Sequence, residues 1–425
     1  MRHRPRPLTL PSPAATAAPG APAATARTGG PPPQRPLRRT DFDLAPFRTP
    51  SDARAAWQLL TTLGPVAALW MSIHWIAHTP PPPWLAALHQ ALPRPLALAV
   101  ELLVPLALLV LFSARCFSLM HDCGHDSLFR HRWLNRVAGF ALGVINAIPQ
   151  HPWSRGHAFH HKHNGNWERY RGPSALVTVE RYHELSPRQR WLYGLLRHPL
   201  MLFPGGFFYL VIKPRLQLLL GAGEFLVAMG RSLARAVAAR GWRGLAELPD
   251  LVLQHRSHHW YTRGELADLV ANNILVVASW LLMAQWLGAG LFWSCYALVM
   301  ASSAAIFICI FFVQHNFEGS YAHGTADWNY LRGAVEGSSN LEMPRWLHWF
   351  SADIGFHSIH HLCERIPNYR LRACHERNAH LLTEAHRLEL SDIPSCFGYL
   401  LWDEQGQRLA TLAEGQKERT TAGIG

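Results

Sequence analysis

Four apolar runs limit the folds that this chain can adopt. They cover roughly residues 57–77, 96–114, 273–287 and 291–313, and a helix needs about 20 residues to cross a bilayer. The third run is short, and an uncharged turn at residues 288–290 joins it to the fourth. Because only helices and closed barrels satisfy their backbone hydrogen bonds in lipid, the runs predict four transmembrane helices in two hairpins.

Basic residues are distributed unevenly between these runs. Residues 79–95 contain only Arg94, whereas the long segment 115–270 contains many arginines and lysines. The positive-inside rule therefore predicts that both termini and the long segment are cytoplasmic, in the inner membrane if the source is bacterial. The net charge of +12 is spread over loops without a compact basic domain, which favours an anionic membrane surface over nucleic acid as partner.

Composition also sets the expected domain limits. Residues 1–50 are rich in Pro, Ala and Arg without apolar periodicity, which predicts a disordered basic tail. A single membrane domain is expected over 51–412, with a cytosolic cap formed by 115–270 and 315–412, and a second disordered tail over 413–425. The predicted fold class is an all-α integral membrane protein with a cytosolic helical cap.

Three histidine boxes and one isolated histidine stand out among the 26 histidines. Residues three and four apart share a helix face, so each box can direct two or three imidazoles at one point. A lone histidine is more often a cap or a surface residue, but eight box donors exceed what one ion can use, which predicts two metal ions. The candidate ligands are His121 and His125 in box one, His157, His160 and His161 in box two, His357, His360 and His361 in box three, and His315.

The donor set favours iron, with copper as the alternative. Zinc sites usually take four ligands, often with cysteine, whereas these donors are nearly all imidazoles. Cys123 lies between the two histidines of box one, where a helix would turn it away from their face, and is interpreted as a packing residue. The seven cysteines include no CxxC pair and predict no disulfide framework. All four histidine sites fall on the predicted cytoplasmic face, as a shared centre requires.

Beyond the boxes, local motifs resemble a known family. The HDCGH form of box one, the WSRGH run at 153–157 and the RIPNYRL run at 365–371 resemble the membrane fatty acid desaturase superfamily. The similarity runs from about residue 50 to about 412 and is greatest to the bacterial acyl-lipid omega-6, or Δ12-type, desaturases. One departure is the segment Phe317-Glu318-Gly319, where that branch usually has a Phe-Glu-Asp-type run; it bears on the position of the double bond.

This resemblance implies that the nine histidines hold two iron ions below a cap on four transmembrane helices. It also implies an oxidoreductase of lipid metabolism that uses O2 to remove two hydrogens from an acyl chain, making unsaturated fatty acids. Electrons would come from a separate protein such as a ferredoxin or a cytochrome.

Five polar residues near the boxes are candidates for orienting the imidazoles, since ligating histidines usually donate their second N–H to such partners. Each can equally be a cap or a surface residue. They are Asp122, Asp126, Asn316, Glu318 and Asp353.

Two other functions compete with desaturation. A lipid hydroxylase or ketolase of the same superfamily would keep every box. A metal transporter with histidine-rich cytosolic loops would instead need ligands inside the spans, along a transport path, and the apolar runs contain almost none.

Overall fold

The computed structural model describes residues 37–172 and 175–416. Nine helices are used below to locate the site; further helical segments are short. The nine are α1 (Asp52–His78), α2 (Arg94–Gly124), α3 (Arg132–Ile145), α4 (Gln150–His163), α5 (Lys213–Arg240), α6 (Arg263–Leu287), α7 (Ala289–Val313), α8 (His357–Leu362) and α9 (Asn368–Asn378).

The remaining helical segments are short and lie before, between and after these nine. The α-helical ones are Ala86–Ala91, Val179–Glu184, Pro187–Leu196, Leu202–Phe207, Leu248–Gln254, Tyr330–Val335, Arg345–Phe350 and Ile393–Cys396. A π-helical turn covers Phe208–Ile212, and 3-10 turns cover Arg39–Asp41, Ala45–Phe47, Pro83–Leu85, Pro199–Met201, Gly241–Glu247, Ala379–Leu381 and Leu390–Asp392.

Helices α1, α2, α6 and α7 are long and apolar enough to cross a membrane, which confirms the four predicted spans. All four begin earlier than the apolar runs. Polar capping residues extend α1 and α6: Ser51 accepts a hydrogen bond from the N–H of Arg54, and Thr262 accepts one from the N–H of Glu265. At the other end, α2 continues to Gly124 and so includes most of box one. The segment Pro187–Leu196, with the helical stretch 199–254 bent 63° from it, is a fifth candidate span.

The second hairpin turns at Gly288, where α6 ends and α7 follows. The backbone φ of Gly288 is +85°, a conformation that a side chain would disfavour and that glycine adopts readily. Helix α7 is the most buried of the four, because half of its most apolar stretch of 18 residues is buried in the protein. The helix Leu202–Phe207 packs against it so closely that a Cβ on Gly206 would lie 2.6 Å from the Cβ of Ala304.

Two small sheets depart from the expected all-α cap. Strands β1 (Val177–Thr178), β4 (Tyr399–Asp403) and β5 (Arg408–Thr411) form one sheet in the order β1-β4-β5, parallel and then antiparallel. Strands β2 (Ser339–Leu341) and β3 (His386–Leu388) form a parallel pair. The strands β3 and β4 lie in the predicted helical cap and form because they pair with the distant strands β2 and β1, which local periodicity does not reveal.

The N-terminal tail is shorter than predicted. Phe42 and Leu44 are buried in a cluster with residues of the C-terminal cap, and the N–H of Asp43 donates to the Oδ1 of Asn378 at 2.7 Å. Residues 38–50 therefore belong to the folded domain, because Phe42 and Leu44, two apolar residues in a polar stretch, pack against residues far away in the sequence. Residues 413–416 of the predicted C-terminal tail are helical and also belong to the folded domain. The predicted tail residues 1–36 and 417–425 lie outside the described residues.

Candidate metal centre

Nine buried imidazoles meet at one end of the four long helices. Box one ends α2, box two lies in α4, His315 follows α7 by two residues, and box three lies in α8. Each of the nine histidines is at most 9% exposed. Every sequence-predicted ligand is therefore brought into one place, although box one ends at His125 and box three begins only at His357.

The nine histidines divide into two groups whose ligand atoms lie within 4.8 Å of one another. The division cuts across the boxes. Box one sends both of its histidines to the first group, box two divides two to one, and box three divides one to two. The first group is His121, His125, His157, His161 and His360, and the second is His160, His315, His357 and His361.

Helical spacing accounts for these splits. The rings of His157 and His161, four residues apart on α4, lie 4.6 Å from each other, and those of His357 and His361 on α8 do the same. The third member of each box sits between its neighbours at a different angle around the helix, so it faces the other group. Because only three box histidines remain for the second group, His315 supplies its fourth donor.

The arrangement of the ring nitrogens suits bound cations better than hydrogen bonds between the imidazoles. The Nε2 of His161 lies 3.0 Å from the Nε2 of both His157 and His360, and the Nε2 of His357 lies 3.0 Å from that of His315 and 3.1 Å from that of His361. A neutral imidazole carries a single N–H, so a ring that faces two others cannot pair with both.

Several of the remaining ring nitrogens are also unpaired. Both nitrogens of His160, and the Nδ1 atoms of His161, His357, His360 and His361, have no hydrogen-bond partner within the described residues. Buried polar atoms are normally paired. Lone pairs that converge in two buried groups suit two bound metal ions, and the residues present fit such ions.

The surroundings keep these imidazoles neutral. Burial lowers the pKa of His157, His160, His161, His357, His360 and His361 well below the ordinary value, and neighbouring imidazoles lower it further. Burial likewise lowers the pKa of His315 to about 4. A neutral ring offers a lone pair to a metal, so this pocket is set up for coordination near neutral pH.

Among the five polar residues singled out in the sequence, Asp122 lies against the centre. Its Oδ1 is 3.2 Å from the Nδ1 of His121, and its Oδ2 accepts hydrogen bonds from the backbone N–H and the Nδ2 of Asn368, both at 2.8 Å. One carboxylate oxygen of Asp122 is thus held by Asn368, and the other faces the imidazole of His121. This arrangement fixes which nitrogen of His121 is free to bind metal.

The other four have different partners. Asp126 pairs with Arg132 at 3.4 Å, and Asp353 lies 3.3 Å from Arg372 and 3.5 Å from the Nδ1 of His348, which is outside both groups. The Nδ2 of Asn316 donates to the carbonyl of Tyr399, and the carboxylate of Glu318 interacts with the Tyr399 side chain. Nearness in sequence to a box did not place these side chains next to its imidazoles.

Two partners of the centre were not anticipated from the sequence. The Oε2 of Glu364 lies 3.5 Å from the Nδ1 of His125 and 3.9 Å from that of His161; this contact with His125 lowers the pKa of the Glu364 carboxyl group below its ordinary value. The carbonyl of Gly337 lies 3.0 Å from the Nδ1 of His315. Glu364 follows His361 by three residues, and this spacing could have identified it from the sequence. The carbonyl of Gly337 could not have been identified, because every residue carries a backbone carbonyl.

A large apolar cavity of about 990 Å³ opens onto the centre. Four of the nine histidines line it, and the indole of Trp153 stacks on His157 with the ring centroids 4.8 Å apart. The cavity walls come from the ends of α2 and α7, from α4 and from the helix Leu202–Phe207. They include His121, His157, His160, His357, Leu111, Phe117, Trp153, Gly205, Ile306, Phe307, Ile310, Phe311 and Leu347.

We expect Asp122→Asn to lower both metal content and activity by about 10- to 100-fold, the usual effect of removing an outer partner of a ligating histidine. Asparagine keeps the shape of the side chain but loses the charge that orients His121. Metal analysis and product formation measure the effect. Asp126→Asn, which removes a carboxylate paired with Arg132, is the matched control. Equal behaviour of the two variants would contradict the orienting role.

Comparison with known proteins gives a consistent result. The family model described as fatty acid desaturase matches residues 96–392. A fatty acid desaturase of Bacillus subtilis (strain 168) is 28% identical over 376 residues, which cover 87% of this chain and 88% of that protein. An sn-1 oleoyl-lipid 12-desaturase of Anabaena variabilis is 24% identical over 65% of this chain and 69% of its own length. An sn-1 acyl-lipid omega-3 desaturase (ferredoxin) of Nostoc sp. (strain 36) is 25% identical over 60% and 61%.

Proposed function

The chain belongs to the fatty acid desaturase family, and we propose that it is a diiron acyl-lipid desaturase that introduces a cis double bond of the Δ12 type. It is an integral membrane protein and an oxidoreductase. The observation that carries the proposal is the contact between two groups of buried imidazoles and an apolar cavity of about 990 Å³. A long acyl chain is the substrate that such a cavity suits.

The nine histidines are the proposed ligands, five for one iron ion and four for the other. When bound, a pair of iron ions supplies the O2 activation that removal of two hydrogens from an unactivated methylene requires, because no side chain can ionise such a C–H bond. Copper fits the same nitrogen donors and is the alternative. Zinc is redox-inactive and does not suit this reaction.

The cavity side chains hold the substrate and exclude water. Trp153 covers His157, and the ring of Phe311 lies 4.9 Å from that of His160. The rings of Phe117 and Phe307 stack 3.7 Å apart and belong to the same cavity wall. Apolar rings around the imidazoles leave little room for solvent, which protects a reactive centre from side reactions.

The substrate and the membrane orientation extend the proposal. The two relatives named as oleoyl-lipid and acyl-lipid desaturases support a lipid-linked acyl chain, and the 12-desaturase among them supports a Δ12 position. The segment Phe317-Glu318-Gly319, which departs from the pattern usual in the Δ12-type branch, bears on the position of the new double bond. The basic segment between the second and third spans supports a cytoplasmic metal centre, in the inner membrane of a bacterium. Electrons would come from a separate donor, for which the ferredoxin-dependent relative gives a precedent.

The test uses cells that lack polyunsaturated lipids, supplied with iron and co-expressing a ferredoxin. The fatty acid profile of these cells is compared with and without expression of this chain. We expect a new diene, whose double-bond position mass spectrometry gives directly. A hydroxylated or oxidised chain in its place would assign the protein to the hydroxylases or ketolases. No new lipid product from an iron-loaded protein with its donor would contradict the proposal.

Gly205→Leu is expected to shorten the acyl chains that the protein accepts. Gly205 lines the cavity, and a Cβ built there meets nothing within 4 Å, so a leucine side chain fits at this wall without disturbing the packing and would narrow the cavity. One methylene in an apolar pocket is worth about 10- to 200-fold in discrimination, so the longest substrates should lose at least about tenfold in rate. Product profiles for a series of chain lengths measure the shift.

The matched control is Gly230→Leu, on α5. A Cβ on Gly230 also meets nothing within 4 Å, but this residue does not line the cavity. The control should keep the wild-type profile. An unchanged product profile in Gly205→Leu would show that this wall of the cavity is not part of the acyl-binding site.

A further inference from the structure

A second, smaller cavity of about 300 Å³ is lined mainly by arginines. We call it the arginine pocket. Arg132 pairs with Asp126 at 3.4 Å, and within the described residues no ion pair joins the other three guanidinium groups to a carboxylate. Its lining residues are Ala45, Arg48, Pro50, Asp126, Arg130, Arg132 and Arg365.

Two of these lining residues are direct chain neighbours of residues at the metal centre. Asp126 follows His125 in the chain, and Arg365 follows Glu364. The Oε2 of Glu364 lies 3.5 Å from the Nδ1 of His125. The Glu364 side chain is 43% exposed whereas that of His125 is 4% exposed, so this carboxylate connects the first histidine group with the surface beside the arginine pocket.

The arginine pocket and the acyl cavity give the centre two separate approaches. The acyl cavity is lined by His121, His157, His160 and His357. Glu364 and the two imidazoles it faces, His125 and His161, are absent from that lining, and the two cavities share no lining residue. A molecule in the arginine pocket would therefore not block the entry of an acyl chain.

The pocket is preformed by three chain segments. The N–H of Arg130 donates to the Oδ1 of Asp52 at 2.8 Å, and its Nε donates to the carbonyl of Pro50 at 3.0 Å. Phe42 and Leu44 anchor the N-terminal segment in the cap. Surfaces held in this way usually bind partners with little backbone movement.

We propose that an acidic electron-transfer protein docks on the arginine pocket and delivers electrons to the first histidine group on the side marked by Glu364. This inference rests on the proposed function, which requires an external electron donor. Four arginines against one aspartate favour an acidic face, and charge complementarity mainly speeds and orients such encounters. An anionic lipid headgroup also suits arginine, but only a redox partner gains from a site next to the histidines.

The test compares two double variants with the same change in charge. Arg48→Glu/Arg365→Glu reverses the pocket, and Arg188→Glu/Arg243→Glu reverses two exposed arginines that line neither cavity. The first measurement is the Kd of the detergent-purified holoprotein for a purified acidic [2Fe–2S] ferredoxin at several salt concentrations. The second is desaturation driven by that ferredoxin or by a small chemical reductant that needs no docking.

We expect the pocket variant to bind ferredoxin at least about tenfold more weakly, with a shallower salt dependence, and to lose ferredoxin-driven turnover in proportion. Its iron content and its turnover with the chemical reductant should equal those of the wild type and of the control variant. Unchanged ferredoxin binding, or an equal loss in the control variant, would overturn the proposal.

A lipid role for the pocket has a different outcome. Nanodiscs with increasing fractions of phosphatidylglycerol would then change the activity of the wild type but not of the pocket variant, with ferredoxin binding equal in both, and this result would also overturn the proposal. Failure of the proposed function is separable from either result. In that case even the wild type would form no unsaturated product with the chemical reductant, whereas ferredoxin binding is measured without turnover.

Discussion

Replacing His360 by alanine is expected to abolish desaturation while the protein still inserts into the membrane. His360 is the one residue of box three that belongs to the first group, and its Nε2 lies 3.0 Å from that of His161. Its ring also lies 4.6 Å from that of His121, so it completes a group otherwise drawn from boxes one and two. The loss should exceed the roughly 100-fold that removal of an outer partner costs.

Product analysis and iron quantification on the same purified sample measure this effect. We expect iron in the first group to fall while the second group, which contains no atom of His360, keeps its ion. His163→Ala is the matched control, because His163 lies in α4 only two residues beyond box two and belongs to neither group. Normal activity in His360→Ala would contradict the assignment of His360 as a metal ligand.

Removal and replacement of the metal should have an equally large effect. Chelation is expected to eliminate activity, and Fe²⁺ added under reducing conditions should restore it, whereas Zn²⁺ should not, because zinc has no redox chemistry. The nine buried imidazoles also lose their partners on chelation. A metal present at 1,000 times its Kd stabilises the native state by about 4 kcal/mol, so the apoprotein should unfold at a lower temperature.

Activity and thermal unfolding, measured on apo, iron-loaded, copper-loaded and zinc-loaded samples, separate the possibilities. Recovery with copper alone would replace iron by the alternative metal. Recovery with zinc would contradict O2-dependent chemistry at this centre. A Tm that does not respond to any of the metals would contradict the assignment of the histidines as a metal centre.

Much of the fold was predictable because its signals are local. Each apolar run lies in a helix that is long and apolar enough to cross a membrane, and the structure moves only the ends. The first residues of α1 and α6 differ because the polar capping residues Ser51 and Thr262 extend these helices beyond their apolar parts. The strands β3 and β4 and the packing of Phe42 and Leu44 were missed because each depends on a partner that is remote in sequence.

The candidate site divides in the same way. Histidines at i, i+3 and i+4 share a helix face whatever the rest of the protein does, so the sequence by itself determined which imidazoles converge and that they exceed the needs of one ion. It also determined that all of them lie at one end of the four helices, since each box adjoins or lies beyond the same ends of the spans.

Only the tertiary structure decided how the nine histidines are shared. His160 leaves its box for the second group and His360 leaves its box for the first, because the angle between α4 and α8 sets which face of each helix meets which neighbour. The same packing placed Glu364 rather than Asp126 beside His125. Such contacts depend on distances between separate helices, and helix periodicity carries no information about those distances.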